Sequence, residues 1–383
     1  MTADPIATAG GPTADRPTAG KPTVHFLVPS GIDNPARPSG GNVYDRRLST
    51  GLTALGWHVV EYPVAGRWPH PGHGDGNALA ALLTGLPEDA LVLIDGLIAL
   101  TSPSVPLHAG RLRVVVLVHM LFAATHDAGT GLTLERSVLR CAAAVVATSF
   151  WTKRLIVDRH GVAPGRIAVV EPGTDAAPPA RGTAHGGELL CVASISAAKG
   201  HETLLSALLQ VADRQWQCTC AGALDLDPAF TRELREQLKQ SEIADRVHFT
   251  GALEAAELSA RYAAADVLAL ASRSETYGMV VTEALARGIP VIATDVGGIP
   301  EAMGRGASGV VPGLLVPPDD PGALAAALRR WFGDVKLRSS LRWAAMERRE
   351  KLENWDAAAD RVSKVLLPLQ AGFEQAVIQQ AAD

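Results

Sequence analysis

Short apolar runs recur along the chain. Each is followed by a glycine-marked turn and then by a stretch with helical spacing. Residues 24–29 (VHFLVP), 91–94 (LVLI), 114–119 (VVVLVH), 143–148 (AAVVAT) and 167–170 (IAVV) are continuous apolar runs of strand length. Continuous rather than alternating runs mark strands buried on both faces, as in parallel sheets. Residues 42–55 read as a helix that Gly56 ends before a further strand at 57–60 (WHVV). A Pro/Gly-rich stretch follows at 176–187 (AAPPARGTAHGG), which reads as a linker. The same rhythm then resumes, with strands at 188–192, 217–221, 247–250, 267–271 and 291–294 and helices clearest at 201–213 and 228–241. Residues 355–371 read as a last helix. Such alternation in both halves predicts an α/β protein of two Rossmann-like domains, 23–175 and 188–367, facing a cleft.

Composition narrows the class. The chain has 383 residues, enough for two domains that each bury a core. Its formal charge of −5 argues against a nucleic-acid partner or an anionic membrane surface. The longest apolar runs are too short to span a bilayer, so no transmembrane segment is expected. Residues 1–22 are rich in Pro, Thr, Gly and Ala without a signal-peptide core, and read as a disordered tail. A cytoplasmic protein with buried free thiols at Cys141, Cys191, Cys218 and Cys220 fits these features. Cys218 and Cys220 alternate on one strand with no second ligand pair near them in sequence, so no metal site is expected there. Asp225 and Asp227, beside Pro228, read as N-capping residues.

The densest chemistry lies in residues 272–301, SRSETYGMVVTEALARGIPVIATDVGGIPE. A strand leads in, Gly278 opens a helix, and residues 288–290 end it before the next strand. Open α/β sheets bind ligands at the carboxyl end of such a first strand. Backbone N–H groups at Gly278, Met279 and Val280 face the helix start, where the dipole favours an anion such as phosphate. Glu283 lies five residues further on, roughly 7–8 Å at the helical rise. That is about the reach from a diphosphate to a ribose, whose vicinal hydroxyls suit an acceptor-only carboxylate. Glu275 precedes the helix and is free to accept from another polyhydroxylated group. Taken alone, the two glutamates are better read as a helix-capping Glu275 and a solvated Glu283.

The wider pattern resembles the E-x7-E motif of glycosyltransferase family four, retaining enzymes of GT-B fold. The resemblance extends over residues 190–205 (LCVASISAAKGHETLL), 169–175 (VVEPGTD), 247–272 and 313–328 (GLLVPPDDPGALAAAL), and reaches Gly40-Gly41-Asn42 after the first strand. It implies a nucleoside-diphosphate-sugar donor, with UDP-glucose and GDP-mannose the leading choices, no metal and no tightly bound cofactor. It implies donor contacts from Gly40, Gly41, Ser194, Lys199, Arg273, Tyr277, Gly278, Met279, Val280 and Glu283, and catalytic roles for Glu275, Lys199 and His119. Lys199 would neutralise the diphosphate leaving group. Glu275 would orient the sugar, Glu283 would hold the ribose, and His119 would sit near the sugar. Where the family carries an arginine in the lysine loop the chain has Ser194, which passes that work to Arg273 or to the helix dipole. The resemblance also implies that the C-terminal helix crosses back to the first domain, assigned here to residues 368–383.

The expected reaction is hexosyl transfer with retention to a hydroxyl acceptor, by a front-face dissociative route. No strongly basic amphipathic helix points to a lipid, so a small soluble acceptor is favoured. Asp127, Trp151 and Lys153 are weak acceptor candidates, and residues 67–77 (RWPHPGHGDGN) read as an irregular loop. Two other readings share the nucleotide site: a nucleotide-sugar epimerase or hydrolase, and a non-catalytic binding protein. The lobes are expected to close about 176–187.

Overall fold

The structure, a computed structural model, describes residues 20–35, 38–122 and 130–380. Most of the expected N-terminal tail and the candidate Asp127 lie outside these residues.

The first half runs β1 (Thr23–Pro29), α1 (Gly40–Ala54), β2 (His58–Val64), α2 (His73–Gly85), β3 (Leu91–Asp95), α3 (Gly96–Ala99), α4 (Ser104–His108), β4 (Arg113–Val118), α5 (Thr130–Cys141), β5 (Ala144–Ala147), α6 (Phe150–His160) and β6 (Ile167–Val169). The second runs β7 (Glu188–Val192), α7 (His201–Leu209), β8 (Gln217–Ala221), α8 (Pro228–Lys239), β9 (Val247–Gly251), α9 (Ala255–Ala264), β10 (Val267–Leu270), α10 (Met279–Leu285), β11 (Val291–Thr294), α11 (Ile299–Met303), β12 (Gly313–Val316), α12 (Pro321–Gly333), α13 (Val335–Arg349) and α14 (Trp355–Gln380). α2 begins at His73, inside the stretch expected to be irregular.

The strands form two six-stranded parallel sheets, ordered β2-β1-β3-β4-β5-β6 and β12-β11-β10-β7-β8-β9. The runs LVLID and VLAL are buried at every position, as strands covered on both faces must be. Apolar clusters fill both faces of the first sheet, and another surrounds the second. Each order reverses once, between β1 and β3 and between β7 and β10. Loops leaving such neighbouring strands diverge to opposite faces and open a crevice at their carboxyl ends.

Three sequence expectations are corrected. The return to the first domain begins at Trp355, not near 368. Trp355, Ala358, Ala359, Val362 and Leu366 pack in the core under α1, and Trp57 donates to Ser363 at 2.9 Å. The apolar stripe of the helix therefore belongs to the first sheet from its first turn. Second, residues 176–187 are not a free linker. The Asp266 carboxylate accepts from Thr183 N at 2.5 Å, Thr183 Oγ1 at 2.6 Å and Glu188 N at 2.9 Å. Ala180 is buried in the second domain's core. The chain crosses between lobes beside residues 172–175 and 353–355 instead, where Thr174 N donates to the Glu353 carbonyl at 2.8 Å. Third, the helix expected from residue 42 starts two residues earlier, so Gly40 and Gly41 form the first turn of α1, whose N-cap Ser39 accepts from Asn42 N at 3.1 Å. Asp227 does cap α8, accepting from Phe230 N at 3.1 Å.

Among the described residues, no helix is long and apolar enough to cross a membrane.

Candidate active site

The loops at the two reversal points face one another across a cavity of about 510 Å³. That volume lies in the range of small-molecule sites. The first domain lines it with residues 38–41, Val43, Tyr44, Leu97, His119, Met120, Thr148 and Pro172. The second contributes residues 192–194, Lys199, residues 221–223, Ala252, Leu253, Leu258, residues 274–280 and Glu283.

Gly40, Gly41, His119, Ser194, Lys199, Glu275, Tyr277, Gly278, Met279, Val280 and Glu283 are thus brought to one cavity. The first-turn glycines have a steric reason. A Cβ on Gly40 would lie 3.2 Å from Met279 Sδ across the cleft, and one on Gly41 would lie 3.1 Å from His119 Cδ2. Both contacts are tight enough that only hydrogen fits without movement.

Lys199 and Glu275 reach the cavity from loops after neighbouring strands, β7 and β10. The Lys199 ammonium donates to Glu275 Oε1 at 2.7 Å, and the buried Ser272 hydroxyl donates to the same oxygen at 2.9 Å. The Glu275 main chain is fixed from behind: Gly298 N donates to its carbonyl at 3.0 Å. Gly297 has φ 57°, and a Cβ there would lie 1.6 Å from that same oxygen, so the Gly297-Gly298 pair cradles the loop.

Gly278 caps α10 in the left-handed region, with φ 95°; Val281 N donates to its carbonyl at 2.9 Å, while the Met279 and Val280 N–H groups stand ahead of the first intrahelical bond. Glu283 sits on that helix, and its Oε2 accepts from Tyr262 of α9 at 2.8 Å. Burial pushes the Glu283 carboxyl above its ordinary range, against the opposing pull of the Tyr262 hydroxyl and Arg287. Burial likewise raises the Tyr277 phenol.

His119 follows β4. Its Nε2 lies 2.7 Å from Asp45 Oδ1 of α1 and 3.8 Å from Asp95 Oδ2 at the end of β3. Both aspartates are fully buried. Burial raises both carboxyls, Asp45 to about 7 and Asp95 well above its ordinary value, and lowers the imidazole. Neither aspartate was singled out from sequence. Asp95 ends the apolar run LVLID, and a carboxylate closing a buried strand is a signal that points to it.

Other candidates fall elsewhere. Arg273 is not in the cavity lining: its guanidinium pairs with Asp319 at 2.6 Å and Glu202 at 2.5 Å and donates to the Ala197 carbonyl. It therefore ties down the loop that carries Lys199. Trp151 also lies outside the lining, and Lys153 donates to the Ile167 carbonyl at 2.8 Å. The cysteines have a nearer neighbour than their spacing implied. Cys191, His201 and Cys220 place one ligand atom each within 4.8 Å of one another, because β7, β8 and α7 meet there. Hydrogen bonding to Cys220 and burial push the Cys191 thiol well up.

Two parallel sheets closing on a cleft, with a lysine and spaced glutamates at the reversal points, define a two-domain GT-B glycosyltransferase fold. Residues 38–177 match the family model described as Glycosyltransferase Family 4, and residues 186–334 match Glycosyl transferases group 1. The chain belongs to glycosyltransferase family four. It is 31% identical over 272 residues to a D-inositol 3-phosphate glycosyltransferase of Kineococcus radiotolerans, covering 65% of this chain and 61% of that one. It is 33% identical over 245 residues to the protein of that name from Jonesia denitrificans, covering 59% and 57%. The match thus spans about 60% of the length of these relatives. Among solved structures, sucrose-phosphate synthase from Thermosynechococcus elongatus superposes with a TM-score of 0.74 at 25% identity, over 92% of this chain and 100% of that one. Anabaena HepE, solved with UDP-glucose, shares the fold with a TM-score of 0.73 at 18% identity, over 90% and 99%.

Proposed function

We propose that the protein is a retaining hexosyltransferase that moves a hexose from a nucleoside-diphosphate sugar to a hydroxyl of a small soluble acceptor. The observation that carries this reading is the convergence of Lys199, Glu275 and Glu283 on one interdomain cavity in a family-four chain. UDP-glucose and GDP-mannose are the donors to test first. The relatives named for D-inositol 3-phosphate favour a polyol phosphate as acceptor.

In this reading the donor diphosphate lies between Lys199 and the first turn of α10. Lys199 now meets Glu275, so the incoming phosphate competes for the ammonium and leaves the carboxylate for the sugar hydroxyls. Glu283, held by Tyr262, takes the ribose. The bond from the anomeric carbon to the diphosphate oxygen breaks, and the acceptor oxygen bonds to the same face. The departing diphosphate takes the acceptor proton. The protein's work is to stabilise charge on that leaving group and to hold both reactants in place.

Titration calorimetry with UDP, GDP, ADP and their glucose and mannose conjugates, on wild type and Glu283→Ala, tests the donor site. One tight donor lost in the variant supports the reading, and no binding across the panel refutes it. Products made with and without D-inositol 3-phosphate then separate transfer from hydrolysis or epimerisation. The anomeric configuration of the product, read by NMR, decides retention.

A further inference from the structure

We propose that Asp45 and Asp95 are positioning residues for His119: the two buried carboxyl groups hold the imidazole by Nε2 and so present Nδ1, as a hydrogen-bond acceptor, to a hydroxyl of the bound sugar. The proposal rests on the nucleotide-sugar reading above.

The three groups come from α1, β3 and the end of β4, and meet under the cleft floor. Nε2 is 2.7 Å from Asp45 Oδ1. Asp95 Oδ1 caps the next turn, accepting from Leu97 N at 2.5 Å. Asp45 Oδ2 and Asp95 Oδ2 are both buried without a donor, although the two carboxyls lie within hydrogen-bonding reach of each other. Two charges cannot share so dry a site, so one proton belongs to the pair. Held on Asp95, that proton is donated to Asp45, which keeps the charge and also accepts from Nε2–H. Among the described residues no arginine or lysine forms an ion pair with either carboxylate. Arg46, next along α1, is engaged by Asp33 and Glu61 at 2.7 Å each.

A neutral imidazole protonated at Nε2 has Nδ1 as its acceptor. Nδ1 makes no hydrogen bond among the described residues, while His119 lines the cavity. The ring is held on two sides: Tyr44 packs edge-on at 5.2 Å between centroids, and Gly41 leaves no room for a Cβ against Cδ2. Two carboxyls buried against each other, an imidazole and the Leu97 N–H are an unfavourable way to fill a core. Fixing a tautomer that a sugar hydroxyl then reads is a use that explains them.

The first measurement is NMR on full-length protein labelled with ¹⁵N-histidine, with His119→Ala assigning the resonance. The expected result at neutral pH is an Nε2–H tautomer, a mixed or reversed tautomer in Asp45→Asn, and a shifted Nδ1 on adding UDP-glucose or GDP-mannose. An Nδ1–H tautomer in wild type, or one unchanged in both Asp45→Asn and Asp95→Asn, overturns the proposal. So does an unmoved Nδ1 in a protein that binds the nucleotide sugar. If none of the panel binds, the function reading has failed and the proposal falls with it.

Turnover supplies the second test. Asp45→Asn should lower kcat by about tenfold to a hundredfold with UDP affinity unchanged, the size expected for one lost transition-state hydrogen bond. Wild-type kcat should fall as pH drops through about 7, where Asp45 takes up a proton, and this acid limb should vanish in the variant. The groups facing Asp45 are Asp95, His119 and Tyr44, with Arg46 and Glu61 beyond. A purely structural role would lower kcat equally at every pH, and that result would refute the assignment.

Discussion

Glu301 links the two lobes, and its removal should open them. It lies on α11, directly after the glycine pair that cradles the Glu275 loop. Its Oε2 accepts from Phe150 N, at the start of α6 in the other domain, at 2.7 Å. Its Oε1 faces Arg154 at 3.2 Å. The first bond joins a carboxylate to a helix N-terminal N–H, a charge-assisted contact worth about 1.5–3 kcal/mol. The second adds at most about 1 kcal/mol, because the Arg154 side chain is 65% exposed. Glu301→Ala should therefore favour the open form by about 2 kcal/mol, a factor of about thirty. If the donor binds the closed form, its KM rises by up to that factor. Small-angle scattering with and without nucleotide should show the variant expanded relative to wild type. Arg154→Ala alone should change KM less than about threefold. A Glu301→Ala protein with wild-type KM and a superimposable scattering curve would refute the reasoning.

The catalytic groups should separate by assay. Lys199→Met should lower kcat on the order of 10²-fold or more, since it removes a charge from the leaving group. Glu275→Ala should cut turnover severely with nucleotide affinity nearly intact, and Glu283→Ala should do the reverse; calorimetry and initial rates distinguish them. Gly40→Ala should raise donor KM without lowering Tm, because its Cβ meets Met279 across the cleft, 3.2 Å from Sδ. Asp45→Asn should stabilise the fold at pH 8 but not at pH 4. Asp45 is raised from 3.8 to about 7, so its burial is tolerated below the unfolded value and stability is lost as pH rises through about 7. At about 1.4 kcal/mol per unit this amounts to on the order of 4 kcal/mol, part of which Asp95 retains in the variant. Melting temperatures at both pH values check it, and a variant less stable than wild type at pH 8 contradicts it.

Much of this protein was legible along the chain because the information is local. Strand burial shows as continuous apolar runs, and the alternation with helices requires parallel sheets. Lys199, Glu275 and Gly278 sit in turns directly after their strands and Glu283 on the helix that follows, so the local strand-turn-helix pattern, read with the family resemblance, was enough to place them at the carboxyl ends of the strands. What remained needed distant segments to meet. Arg273 was free in sequence to serve the diphosphate. In three dimensions Glu202 and Asp319, each remote along the chain, compete for its guanidinium and win. The return helix was recognisable as a helix, but only packing against α1 decides that it belongs to the first domain from Trp355 onward. Residues 176–187 have linker composition, yet Asp266 anchors them. Asp45, Asp95 and His119 lie on three elements, and no pattern along the chain marks two acids and an imidazole that share a buried site. Periodicity records which face of an element is covered, whereas partners are chosen by sheet order, by burial and by which charges the fold brings within reach.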